Sequence, residues 1–174
     1  MKHFLVVVDI QNDFVDGALG TKEAVGIINN AKEFISNFNG EIFVTYDTHF
    51  DDYLITSEGK KLPVTHCVKN TYGWKLNSEI LNALNGKMYT TVEKLTFGST
   101  ELPSIIKEKA GDEDFDITLI GLCTDICVVS NALILKASFY EKEIFVKENC
   151  CAGVTVESHN AAIKTMKMCQ INII

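Results

Sequence analysis

Short apolar runs alternate with helical patterns along the whole chain. The runs Phe4–Asp9, Glu41–Asp47, Lys87–Glu93, Asp116–Leu122, Glu143–Lys147 and Gln170–Ile174 predict six strands. Several are rich in Val, Ile and Thr without strict alternation, as strands buried on both faces are. Between the first two, Ala24, Ile27, Ile28, Ala31, Phe34, Ile35 and Phe38 recur at helical spacing, and Gly40 follows as a stop signal. Ile80, Leu81 and Leu84 mark a short helix closed by Asn85-Gly86. Thr124 to Tyr140 predicts a helix that is apolar nearly all round, and Glu157 to Cys169 predicts the last helix. A helix apolar all round is buried or packs at a subunit contact, which leaves a homo-oligomer open. The repeated strand-helix order predicts an α/β fold, a mainly parallel six-stranded sheet with helices on both faces. Thr48 to Lys75 lacks periodicity, and a loop of that length in a compact domain is usually functional.

Composition narrows the picture. At ~150 residues per domain, 174 residues make one domain, 1–174. A content of 47% hydrophobic and 22% charged residues is that of a globular protein and excludes a disordered or fibrous chain. A net charge of −7 disfavours nucleic-acid phosphates and anionic membranes as partners. No apolar stretch reaches the ~18 residues of a membrane span. The opening MKHFLVVVDI lacks a signal-peptide layout, so the cytoplasm is expected, where the six cysteines stay reduced. The acidic stretch Asp112, Glu113, Asp114, Asp116 reads as a solvated turn.

In an open α/β sheet, ligands sit beyond the carboxyl ends of the strands. Cys127 lies just past such an end, in Gly121-Leu122-Cys123-Thr124-Asp125-Ile126-Cys127. With Thr124 or Asp125 as N-cap, Cys127 falls in the first helical turn, where free N–H groups and the helix dipole favour a thiolate and could hold an oxyanion. The plainer reading is a small buried apolar residue, and at this junction both stay open. Asp9 ends an apolar strand, so burial suits it to proton transfer, although a loop cap is the commoner role. Lys94 ends the third strand, where surface lysine is the default. Three strand ends converging would bring together a proton acceptor, a charge stabiliser and a nucleophile. Asp47 and His49, two apart in extended chain, project to one side, and His66 lies in the long loop. Three such ligands plus water describe an open metal site. Cys67 is a rival ligand made awkward by its adjacency to His66, and unlinked polar loop residues are the plain alternative. Cys123 and Cys127 lack the spacing of a redox pair.

Four blocks in order carry a resemblance. They are Asp9-Ile10-Gln11-Asn12-Asp13-Phe14; Asp47-Thr48-His49 with His66-Cys67; Lys94 with Phe97-Gly98-Ser99; and Gly121 through Val128. Together they resemble the isochorismatase-like cysteine hydrolases, and within them the nicotinamidase-related branch. The resemblance implies a three-layer α-β-α domain in which Cys127 attacks a carboxamide carbon. Asp9 would move the thiol proton to the leaving ammonia, and Lys94 would stabilise the charges. It implies an oxyanion hole from the backbone N–H groups of Cys123 and Cys127, and a cis Leu122–Cys123 peptide. It also implies one divalent ion, zinc, on Asp47, His49 and His66, facing the pyridine nitrogen of the substrate. Substrate contacts are expected from Phe14, Leu122 and Trp74. The expected reaction turns nicotinamide and water into nicotinate and ammonia through a thioester. Another small carboxamide, or a non-catalytic relative that binds a metal or a partner, are the alternatives. There are two departures. Pro63 stands where many nicotinamidases carry an aromatic residue, with Trp74 or Tyr72 as candidates to replace it, and no further histidine lies between His49 and His66.

Overall fold

A computed structural model describes residues 1–174. The strands are β1 (Lys2–Val8), β2 (Glu41–Asp47), β3 (Tyr89–Lys94), β4 (Phe115–Leu122), β5 (Ile144–Ala152) and β6 (Asn172–Ile173). The helices are α1 (Asn12–Val15), α2 (Lys22–Asn37), α3 (Ser78–Leu84), α4 (Leu102–Ala110), α5 (Val129–Ser138) and α6 (Val156–Met168). All strands pair in parallel, in the order β3-β2-β1-β4-β5-β6.

That order has one reversal. The chain steps outward from β1 to β2 to β3, then returns to place β4 on the other side of β1. Right-handed crossovers then require the helices to change faces at the reversal. They do. The buried residues of α2 and α3 join Leu5 and Val7 in one core, and those of α4, α5 and α6 join Phe4, Val6 and Val8 in the other. Alternation along β1 sorts its side chains between the two cores, so a fully apolar strand is what two covered faces demand. The three layers follow.

The termini of the elements have local causes. Thr21 caps α2 by accepting the Ala24 N–H at 3.0 Å. Thr155 and Ser158 cap α6 reciprocally. Gly121 sits on β4 at φ 126°, where an added Cβ would lie 2.1 Å from the Val8 carbonyl oxygen. Only glycine lets β4 lie this close to β1.

Three local expectations need correction. The segment from Thr124 is not one α-helix: a π turn over Thr124–Val128 precedes α5, with the Val128 N–H reaching back to the Cys123 carbonyl. Helix α4 was not predicted, although Leu102, Ile106 and Ala110 are its buried stripe. Strand β5 runs on past Lys147 to Ala152, because an irregularity lets it resume pairing with β4 at Gly121↔Cys151. The residues 48–75 form a largely irregular excursion with one short 3₁₀ turn at Tyr53–Ile55. No helix is long and apolar enough to cross a membrane.

Candidate active site

The reversal between β1 and β4 opens a crevice at the carboxyl ends of the strands. Register decides what meets there. Val8 pairs with Thr45 on one side and Gly121 on the other, and Asp47 pairs with Lys94. Asp9 therefore leaves β1 between the ends of β2 and β4, fully buried and at a φ of 46°. Its Oδ1 accepts the Thr45 hydroxyl at 2.6 Å. Its Oδ2 forms an ion pair with Lys94 Nζ at 2.5 Å, off the direction of an ideal hydrogen bond. Lys94 Nζ also donates to the Thr96 carbonyl at 3.1 Å and lies 3.6 Å from Cys127 Sγ. The sequence-predicted trio thus converges.

Cys127 sits inside the π turn, buried. Neither Thr124 nor Asp125 is the N-cap. That place falls to Cys123, without a side-chain bond, because the other two are engaged elsewhere. Thr124 Oγ1 lies 2.9 Å from His159 Nδ1, and the Asp125 carboxylate accepts the Val154 N–H at 3.2 Å. The Leu122–Cys123 peptide is cis. The Cys123 N–H donates to no backbone carbonyl. Behind Cys127, the buried Asn131 donates to the Cys127 carbonyl at 2.8 Å and accepts the Ser99 N–H at 2.9 Å. It thereby ties the Cys127 turn to the loop after Lys94.

Burial pushes the Cys127 thiol well above the ordinary range, against the opposing charge of Lys94. Burial thus works against the thiolate that a helix start and Lys94 would favour. Burial also raises the Asp9 carboxyl against the pull of Lys94, making it a stronger base. For Lys94, burial works against the ammonium, but Asp9, Cys127 and Asp47 outweigh it and keep the charge. A thiol beside a carboxylate and an ammonium is an arrangement for proton removal during attack.

Next to this trio lies a cluster of four donors. Asp47, His49, Glu58 and His66 each offer a ligand atom within 4.8 Å of the others. His49 Nε2 is 3.1 Å from Asp47 Oδ2 and 3.6 Å from Glu58 Oε1; His66 Nε2 is 3.5 and 3.6 Å from the same two atoms. A tetrahedron of ~2.1 Å bonds has edges of about 3.4 Å, so the spacing fits one ion. His66 Nδ1 bonds the Val64 carbonyl at 2.8 Å, which turns Nε2 toward the cluster. Asp47 Oδ1 is buried without a hydrogen-bond partner, 3.6 Å from Lys94 Nζ. Burial raises the Asp47 carboxyl, but hydrogen bonds from both histidines and the charge of Lys94 overcome it and hold it below the usual range. Glu58 was not read from the sequence. It sits in the aperiodic loop, and no spacing marked it. Cys67 stays outside the cluster; burial pushes its thiol upward.

The motif after Asp9 has a structural task. Gln11 donates to the carbonyls of Asp47 and Trp74 at 2.9 and 2.8 Å and accepts the Asp47 N–H at 2.8 Å. Asn12 donates to the Tyr72 carbonyl, and Asp13 accepts the Cys67 N–H, both at 2.8 Å. Three consecutive side chains thus fasten the long loop that carries His66.

A cleft of about 430 Å³ opens beside the cluster, lined by His49, Glu58, Leu62, Leu95, Phe97 and Ile126 among others. Phe14, Leu122 and Trp74 do not line it. Phe14 is buried with its ring 5.5 Å from that of His66, and Leu122 is wholly in the core. Trp74 stacks on Tyr46 and donates Nε1–H to Thr48 Oγ1 at 2.9 Å, lining a separate groove with Tyr72 and Leu81. Trp74 and Tyr72 thus face that groove, while Phe97 and the His49 ring face the cleft.

Comparison with known proteins agrees with this architecture. The isochorismatase domain model matches residues 3–174. An isochorismatase family protein, PncA, of Bacillus subtilis (strain 168) is 30% identical over 179 residues, covering 94% of this chain and 93% of the relative. The crystal structure of nicotinamidase/pyrazinamidase PncA from Bacillus subtilis has a TM-score of 0.80 at 25% identity, covering 99% of both chains. Pyrazinamidase of Pyrococcus horikoshii in complex with zinc has a TM-score of 0.82 at 24% identity, covering 100% of this chain and 99% of that one. With the domain matched over nearly its whole length and the fold shared, the chain belongs to the isochorismatase family of hydrolases.

Proposed function

We propose that the protein is a metal-containing cysteine amidohydrolase whose leading substrate is nicotinamide. The observation that carries this reading is the buried meeting of Asp9, Lys94 and Cys127, with 2.5 Å from carboxylate to ammonium and 3.6 Å from ammonium to sulfur. Cys127 Sγ attacks the carboxamide carbon while Asp9 accepts the thiol proton. The oxyanion is received by the N–H groups of Cys123 and Cys127. Asp9 returns the proton to the leaving nitrogen, and ammonia departs from a thioester. Water, deprotonated by Asp9, then attacks the same carbon. Carboxylate is released and Cys127 regains its proton. Lys94 stays charged throughout and offsets the negative charge that moves among its neighbours.

Asp47, His49, Glu58 and His66 would hold one divalent ion. Two imidazoles and two carboxylates suit zinc among the divalent ions. When bound, the ion supplies a Lewis-acid site for a ring nitrogen of the substrate. The cleft has room for a small amide beside the cluster, and the relative of the same fold from Bacillus subtilis is a nicotinamidase/pyrazinamidase. The same reading sets the work of the protein in the cytoplasm; its six free thiols suit a reducing compartment.

One observation favours a second substrate reading. The apolar part of the cleft wall is Leu62, Leu95 and Ile126 with one phenyl ring, Phe97, and Pro63 stands in place of an aromatic residue. An aliphatic wall would accept a non-aromatic small amide. Ammonia release from nicotinamide, pyrazinamide and a panel of aliphatic amides separates the readings. Turnover of nicotinamide above the aliphatic amides is expected. No ammonia from any member, with metal supplied, would overturn the amidase assignment.

A further inference from the structure

The π turn leaves the nucleophile on backbone that lacks the regular bonding of an α-helix. Its geometry depends on what grips it from outside. Asn131 grips the rear. The front is gripped by the junction between β5 and α6, which belongs to neither the trio nor the metal cluster. Gly153 makes the grip feasible: an added Cβ there would lie 2.9 Å from the backbone N of His159, so α6 can approach β5 only over a glycine. This seats the His159 ring against Thr124, with Nδ1 2.9 Å from the buried Thr124 Oγ1. The far ring nitrogen, Nε2, lies 3.7 Å from Glu148 Oε1. Beside it, Asp125 accepts the Val154 N–H. Thr124 directly follows Cys123 and lies three residues before Cys127. Whatever holds Thr124 therefore sets the relative placement of both N–H groups that face the oxyanion.

We propose that His159 is a positioning residue for the nucleophile turn, acting through Thr124 and touching neither substrate nor metal. The proposal rests on the amidase reading for its kinetic arm only. His159→Ala should lower kcat about 10-fold, the scale of one lost orienting hydrogen bond, with KM within twofold. Thr124→Val should do the same, and the double variant should be no worse than either single one, since both break one contact. His159→Asn, whose amide falls near the place of Nδ1 and can reach the Thr124 hydroxyl, should restore most of kcat. Hydrogen exchange gives an arm independent of turnover. Peptides spanning residues 123–129 should exchange faster in His159→Ala, while those of β1 keep their wild-type rates. Additive losses in the double variant, an unchanged kcat in His159→Ala, or acceleration spread evenly over the protein would each overturn the proposal. Wild-type protein that turns over no amide would fail the amidase reading alone, and the exchange arm would still decide the tether.

Discussion

The two halves of the site are built on different foundations. Asp9, Lys94 and Cys127 stand at or beyond the ends of β1, β3 and β4, so sheet register brings their strands together and only the short turn after β4 needs further support. The four-donor cluster takes Asp47 and His49 from the end of β2, but Glu58 and His66 from an irregular loop. That loop is held by side chains from the segment that follows β1, chiefly Gln11 and Asp13. A strand-end site inherits its precision from the hydrogen-bond ladder. A loop site must have its precision supplied bond by bond. Asp47 belongs to both, since one carboxyl oxygen meets the histidines and the other faces Lys94.

The sharpest break removes the nucleophile. Cys127→Ala should abolish turnover, a loss of at least about 10⁴-fold by analogy with other nucleophile deletions, while the melting temperature stays near that of the wild type. Residual amidase activity within tenfold of wild type would remove Cys127 from the role. Lys94→Met comes next and tests the strand-end half as structure. It strands the Asp9 carboxylate in the core, and breaking a buried pair on one side costs about 3–5 kcal/mol. Chemical denaturation would measure this, and an unchanged midpoint would count against a charged Asp9.

The loop half should fail differently. His66→Ala or Glu58→Gln should reduce bound zinc in proportion to the lost ligand, read by elemental analysis after dialysis against a weak chelator. Equal metal content in wild type and both variants would break the cluster assignment. Gln11→Ala removes three hydrogen bonds that hold the loop to β2. Its expected cost is about 1–3 kcal/mol of stability, with faster proteolysis confined to residues 48–75. The smallest effect separates two aromatic residues. Phe97→Ala should raise KM several-fold, whereas Trp74→Phe should leave KM within twofold because its ring lies outside the cleft.

The same contrast explains what was legible in the sequence. Strand β2 was read with its observed bounds, Glu41–Asp47, because a buried apolar run ending in a charged residue marks the moment the chain leaves the core. The trio was legible for that reason: each member closes or follows such a run. The cis peptide and the candidate metal ligands Asp47, His49 and His66 came with the resemblance and with residue type. Glu58 was invisible, since a glutamate in an aperiodic loop looks like any solvated one until the fold turns it inward. The cap at Thr124 was misread because capping preference is local, and here His159, 35 residues away, claims the hydroxyl. The place of Trp74 was equally out of reach of local sequence: its indole N–H meets Thr48, 26 residues earlier.

The position of β1 has a consequence for how the protein is made. It precedes the other five strands of this domain in the sequence, yet it is interior, with β2 on one side and β4 on the other. Residues Phe4 to Val8 are all fully buried and carry no charge. On the ribosome, one edge of this apolar strand has no partner until residues 115–122 emerge, and an open apolar edge is a template for pairing between chains. Asp9 and Cys127 meet only when that gap closes. Emergence of activity in a nascent chain therefore reports the closing of the sheet, and the long wait for β4 is the interval in which a chaperone would be most needed.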